Sequence, residues 1–134
     1  MEELTRYNLP LDKYWVRKVQ QDEKGTTIVL ESKHFFVTIL FGGFVYALLC
    51  SDESGLQKRN HQWVRKFAKA NISLLNVTFF KLSNSQFIDF IKDQTFGYYD
   101  DLDFKHFVAW TEDDMIEVIA HYEPEIEIQE KKLE

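Results

Sequence analysis

The sequence predicts an α+β domain in which an N-terminal antiparallel β-meander of about four strands is continued by one or two later strands, with about three helices packed on one face. Strand-like apolar segments occupy residues 14–50, and helix-periodic segments follow only after residue 55. No repeat or low-complexity linker divides the 134 residues, which is the usual length of one domain. We therefore expect residues 1–130 to form a single domain and residues 131–134 a charged tail.

The meander is predicted from four segments rich in β-branched and aromatic residues, at 14–20, 26–32, 34–41 and 44–50. A polar turn, QDEKG, separates the first two segments. Gly42-Gly43 separates the last two, and we interpret it as a two-residue hairpin turn because glycine adopts a positive φ without a Cβ clash. The sequence therefore predicts that these four strands pair consecutively.

The first helix is predicted over residues 56–70, where apolar and small side chains recur at helical spacing. These positions are Leu56, Asn60, Trp63, Phe67 and Ala70. A strand over 74–81 follows, and then a short helix through Lys92 that begins with a capping box formed by Ser83 and Gln86.

The last part of the chain is predicted as a strand over 104–110, a third helix and a short edge strand over 125–129. Thr111 followed by three acidic residues is typical of a helix N-terminus, where carboxylates interact favourably with the helix dipole. Pro124 would end this helix near His121.

Several functional classes are unsupported by the sequence. The longest apolar stretch, 35–50, is interrupted and too short to span a bilayer, and the acidic N-terminus does not resemble a secretory signal. We therefore expect a cytoplasmic protein.

Cys50 is the sole cysteine, which excludes an intramolecular disulfide, and we expect it to be a small buried hydrophobe. Metal-ligand spacings and phosphate-binding glycine motifs are also missing, so no cofactor is expected.

Charge is distributed unevenly along the chain. Residues 57–81 contain six basic residues and no acidic one, whereas the chain from Leu82 onward contains fourteen acidic residues against four lysines, a formal charge of −10. The overall charge of −6 therefore hides a dipolar arrangement.

The acidic half of the chain suggests a binding surface for a basic protein, because a continuous acidic face accelerates encounter with such a partner and aromatic residues make good hot spots. Acidic inhibitors of nuclease toxins, such as immunity proteins and antitoxins, work in this way by mimicking phosphate charge. The residues predicted for this surface are Tyr98, Tyr99, Asp100, Asp101, Asp103, Glu112, Asp113 and Glu117. We expect a non-enzymatic protein-binding domain of the immunity or antitoxin type, from a bacterium or phage.

Two alternatives stay open at this point. One is an enzyme of unfamiliar type, with an acid–base site formed by His106 or His121 and the carboxylates of Asp100–Asp103. The other is an anionic-surface or nucleic-acid binder that uses a basic face of the helix within residues 57–70. That face would consist of Lys58, Arg59, Arg65, Lys66 and Lys69.

Overall fold

The computed structural model describes residues 2–70, 74 and 77–132, which form two antiparallel sheets and two α-helices. The five-stranded sheet has the order β1-β6-β7-β8-β5, with β1 Glu3–Arg6, β5 Ala47–Asp52, β6 Phe79–Ser83, β7 Lys105–Trp110 and β8 Asp114–Ala120. The four-stranded sheet has the order β2-β3-β4-β9, with β2 Trp15–Asp22, β3 Gly25–Glu31, β4 Phe35–Phe41 and β9 Glu125–Glu130. A 3-10 helical turn, Glu53–Leu56, leads into α1 Gln57–Lys69, and α2 is Gln86–Gln94.

The elements are arranged in three layers. Side chains of the two sheets meet in one core, in which Phe41 of β4 contacts Phe107 of β7 with ring centroids 5.0 Å apart. On its opposite face the five-stranded sheet packs against α1 through Trp63 and Phe67, and against α2 through Ile88. The five-stranded sheet is therefore buried on both faces, and both helices lie on one face as expected.

The predicted meander is correct for its first three strands only. The strands β2, β3 and β4 pair consecutively, and the turn into Gly25, with φ +123°, joins the first two as predicted. The Gly42-Gly43 hairpin is wrong, because β5 crosses to the other sheet and pairs with β8, while β9 takes the place beside β4. Among the described residues the positive-φ glycines are Gly25 and Gly97.

The third predicted helix is wrong, since residues 114–120 form β8. Thr111 and Asp114 close a tight turn, in which Thr111 N donates to Asp114 O at 2.9 Å and Asp114 N donates to the Thr111 hydroxyl. Every residue from Met115 to Ala120 is buried because the sheet is covered on both faces. A strand buried on both sides loses the alternation that distinguishes it from a helix.

The start of the second helix also differs from the prediction. Ser83 is the last residue of β6, and Asn84 makes a turn with φ 55°, a conformation that asparagine tolerates better than most residues. Ser85 is the N-cap, and its Oγ accepts a hydrogen bond from the Ile88 amide at 3.2 Å.

The remaining elements follow the sequence more closely. The helix predicted over 56–70 is confirmed as α1, with Asn60, Trp63 and Phe67 on its buried face. The strand predicted over 74–81 is present from Phe79, whereas residues 75 and 76 lie outside the described residues. The edge strand predicted over 125–129 is β9, and the N-terminal strand β1 was not predicted.

Candidate functional site

The segment between α2 and β7 is a compact series of turns. Amides three residues apart donate along it, from Tyr98 to Thr95 O at 3.0 Å and from Asp100 to Gly97 O at 3.1 Å. Its inner side packs on the sheet, with Tyr99 and Leu102 against the core around Phe104. This folded base fixes the side chains that the segment presents to solvent.

Those outward side chains include two large aromatic residues. Phe96 is 99% exposed and Tyr98 is 82% exposed. Phe96 also has a φ of 54°, which is rare for a bulky side chain because its Cβ crowds the carbonyl oxygen. This φ belongs to the C-cap of α2, in which the Phe96 amide donates to Asp93 O at 3.1 Å and the Gly97 amide donates to Lys92 O at 3.0 Å. The cap fixes the backbone and leaves the Phe96 ring in solvent.

Phe44 extends the same aromatic surface from the connection between β4 and β5. Its ring, 68% exposed, lies 5.0 Å from Tyr46, and Tyr46 lies 5.0 Å from Tyr99, which in turn lies 5.0 Å from Tyr98. The four rings form a continuous row, each steeply inclined to the next. The row joins the N-terminal end of β5 to the loop before β7.

Three carboxylates follow Tyr99 in the same segment. Asp100, Asp101 and Asp103 are exposed, and Asp103 makes a surface ion pair with Lys105 at 3.2 Å. We call the group the aromatic–acidic surface, and it comprises Phe44, Phe96, Tyr98, Asp100, Asp101 and Asp103.

The other predicted members of the acidic face lie elsewhere. Glu112 and Asp113 occupy the turn between β7 and β8, at the opposite end of those strands, and Glu112 is paired with Lys13 at 2.8 Å. Glu117 is fully buried in the middle of β8. The acidic residues therefore do not form one continuous face, and Tyr99 lies half-buried beneath the surface.

Glu117 belongs to a buried chain of polar groups that links four elements. Arg59 of α1 donates from both Nη atoms to the two carboxylate oxygens of Glu117, at 2.8 and 3.0 Å. The His106 Nε2 lies 2.7 Å from Glu117 Oε1, and the His106 Nδ1 lies 2.9 Å from Ser85 Oγ. We call Arg59, Glu117, His106 and Ser85 the buried polar chain.

The charge state of Glu117 follows from these contacts. Burial raises the pKa of this carboxyl group, but the hydrogen bonds from His106 and Arg59 outweigh burial, and the pKa lies below its usual value. An ionised carboxylate only accepts hydrogen bonds, so the His106 Nε2 carries the proton between them. The Arg59 guanidinium neutralises Glu117 and also stacks 4.0 Å from the Trp63 ring.

A small cleft of about 140 Å³ opens beside the buried polar chain. Trp63 and Phe87 line it, together with Gln62, Gln86 and the Glu2–Lys66 ion pair. Arg59, Ser85 and His106 also border it. Its volume is below the roughly 300 Å³ that is typical of a site for a drug-sized ligand.

The order serine, histidine, carboxylate in the buried polar chain is that of a nucleophilic triad. Two features oppose catalysis, since Ser85 is completely buried and its oxygen already accepts the N-cap bond of α2. The Arg59 pair further reduces the ability of Glu117 to stabilise an imidazolium. Both ring nitrogens of His106 form contacts within the buried polar chain, which separates this residue from its predicted partners in the Asp100–Asp103 loop. The other predicted histidine, His121, is exposed and contacts Tyr46 and Tyr122.

The basic residues of α1 divide into two groups. Arg59 is half-buried and paired with Glu117, whereas Lys58, Arg65, Lys66 and Lys69 are exposed. The predicted basic face therefore loses Arg59 to the buried polar chain, and the exposed Lys66 is paired with Glu2. Trp63 and Phe67 point into the core and are not available to stack on bases.

The sequence left several of these residues unassigned. Phe44 and Phe96 carry no motif, and only the structure shows their exposure. The pairing of Arg59 with Glu117 spans 58 positions, and the single signal in the sequence was a charged residue inside the apolar run MIEVIA. Cys50, expected to be buried, is exposed on β5.

Within the described residues, no group of three or more His, Cys, Asp or Glu side chains is arranged to hold a metal ion. None of the helices described is long and apolar enough to cross a membrane. Comparison with known proteins gave no match, either to a protein-family model, to a curated protein or to a solved structure.

Proposed function

We propose that this chain is a non-enzymatic protein-binding domain that recognises a basic protein through the aromatic–acidic surface. The observation that carries the proposal is the exposure of two large aromatic side chains, Phe96 and Tyr98, in the same segment as three exposed aspartates. Neither ring contributes to the core, and a partner would remove both from water.

The composition of the surface fits a partner of this charge. Aromatic rings provide large contact areas with little loss of side-chain entropy, and cations bind well over their faces. The aspartates would accelerate the encounter with a basic surface and give the association a marked salt dependence. Inhibition of a basic nuclease by an immunity-type protein is the most specific form of this proposal, since such enzymes bind phosphate through basic grooves.

Two matched variants test the proposal. The loop variant carries Asp100→Asn, Asp101→Asn and Asp103→Asn, and the strand variant carries Glu125→Gln, Glu127→Gln and Glu130→Gln on exposed positions of β9. Each replaces three acids and changes the formal net charge from −6 to −3. Any difference between them therefore reports the location of the charge and not its total.

The assay is affinity capture from a host lysate with wild-type protein, loop variant and strand variant as baits, followed by mass spectrometry. We expect one basic protein to be retained by the wild type and the strand variant and to be lost with the loop variant or at high salt. Equal retention by both variants would contradict the assignment of this surface. A retained set without any basic protein would contradict the charge argument itself.

A second candidate function, acyl transfer, is favoured by one observation, the Ser85–His106–Glu117 hydrogen-bonded order beside the cleft. It requires Ser85 to leave the N-cap position and become accessible. Labelling by a fluorophosphonate probe that disappears in Ser85→Ala, while the same variant remains folded by circular dichroism, would support this candidate. Unlabelled wild-type protein would reject it.

A further inference from the structure

The four sheet edges of this protein are not equally protected against pairing with another strand. Unpaired edges expose rows of backbone donors and acceptors, which proteins usually block with short strands, charged residues or bulges. Three of the four edges show such devices. The strand β1 has four residues, β2 carries charged residues and a bulge between Val16 and Lys18, and β9 carries three glutamates.

The fourth edge, β5, lacks these devices. It contains Ala-Leu-Leu-Cys-Ser before reaching its first charged residue, Asp52. It pairs with β8 on one side, and among the described residues no strand pairs with its other side. Cys50 is exposed, and Leu48 and Leu49 are half-buried. This edge therefore offers an uncharged template for strand addition.

The surroundings of β5 indicate what kind of strand would add. Its N-terminal end adjoins the aromatic–acidic surface, because Tyr46 directly precedes it and contacts both Phe44 and Tyr99. At its C-terminal end, Asp52 lies opposite Asp114, next to the acidic turn between β7 and β8. Six residues of strand span roughly 20 Å, so a single extended segment would pass between two acidic clusters.

We propose that β5 binds an extended, lysine- or arginine-rich segment of the partner by strand addition, which continues the five-stranded sheet. The inference rests on the proposed function, since the same partner would contact the aromatic–acidic surface at one end of the strand. Backbone hydrogen bonds to β5 would supply affinity, and the acidic clusters at both ends would select for basic residues. Strand addition at β5 would also give a role to acidic residues at both ends of the strand, for which the sequence predicts one continuous face.

The test uses a synthetic peptide as the probe, a blocked nonapeptide of alternating lysine and valine, with the 134-residue chain labelled for NMR. We expect binding at about 50 mM salt to protect β5 amides from hydrogen exchange and to weaken at about 500 mM salt. The matched control is the same peptide N-methylated at every second residue, which removes donors along one edge while keeping side chains and charge. Its affinity is expected to fall at least about tenfold, because about three backbone hydrogen bonds to the six-residue β5 are lost and each contributes about 0.5–1.5 kcal/mol.

The outcomes separate this inference from the proposed function. Equal binding of the methylated peptide, or amide protection on β2 or β9 in place of β5, would overturn strand addition while leaving the aromatic–acidic surface intact. The peptide could instead protect the β5 amides equally at both salt concentrations and equally in wild type and loop variant. That result would support strand addition at β5 but contradict the selection of basic residues by the acidic clusters. A salt-independent dimer of the protein alone, with β5 amides already protected, would assign the edge to a second copy and overturn the choice of partner.

Discussion

Replacement of Glu117 by glutamine tests the energetic role assigned to the buried polar chain. Glu117 is fully buried and accepts both Nη donors of Arg59 together with the His106 ring proton. Glutamine keeps the shape and one oxygen but leaves the guanidinium without its counter-charge. Breaking one partner of a buried ion pair typically costs about 3–5 kcal/mol.

The geometry places the expected loss near the lower end of that range. The Arg59 side chain is 22% exposed, so water can partly solvate it once the carboxylate is removed. We therefore expect the free energy of unfolding to fall by about 3 kcal/mol in Glu117→Gln. The control is Glu2→Gln, which breaks the more exposed pair with Lys66 and is expected to cost about 0.2–1 kcal/mol.

The assay is equilibrium urea denaturation monitored by tryptophan fluorescence. Trp63 is a suitable reporter because the Arg59 guanidinium stacks on its ring. A loss below about 1 kcal/mol in Glu117→Gln would show that the buried chain is worth no more than a surface pair and would refute the reasoning. Under conditions where the variant is folded, its affinity for a basic partner is expected to equal that of the wild type.

Three further predictions concern single residues. Ser85→Ala should lower the free energy of unfolding by about 1–2 kcal/mol in the same urea assay, because α2 loses its N-cap and His106 loses a hydrogen-bond partner; an unchanged stability would contradict the cap assignment. Phe96→Gly should raise the free energy of unfolding by up to about 1 kcal/mol, because it removes strain at positive φ without loss of a core contact, and should weaken partner binding in a titration. Hydrogen bonds from Ser32, Lys13 and His34 lower the pKa of Asp12 to about 2, so its stabilisation is complete above the ordinary aspartate pKa and is lost as pH falls toward 2. The melting temperature should accordingly fall less steeply between about pH 4 and pH 2 in Asp12→Asn than in wild type, and parallel curves would contradict this cause.

The parts of the fold that the sequence predicts are those governed by local chemistry. The amphipathic spacing of Trp63 and Phe67 identifies α1, and the polar turn into Gly25 identifies the first hairpin. The failures occur where tertiary contacts override local signals. Thr111 has the side chain of a helix cap but closes a hairpin, because the residues after it are needed as a strand buried on both faces.

The candidate site was predictable only in part for the same reason. Asp100, Asp101 and Asp103 lie close together in the sequence, so their shared surface follows from the sequence alone. Glu117 lies in the interior with Arg59 as its partner, and these two residues are 58 positions apart in the sequence. No local sequence pattern predicts that pairing. The exposure of Phe44 depends likewise on the crossing of β5 to the second sheet.

Binding of a basic protein by the aromatic–acidic surface can be measured directly. The measurement is a calorimetric titration of the captured partner with wild type, loop variant and strand variant, each at about 50 mM and about 500 mM salt. We expect the loop variant to bind at least about tenfold more weakly than the strand variant at low salt, and this difference to shrink at high salt. Equal affinities of the two variants at low salt would contradict this expectation.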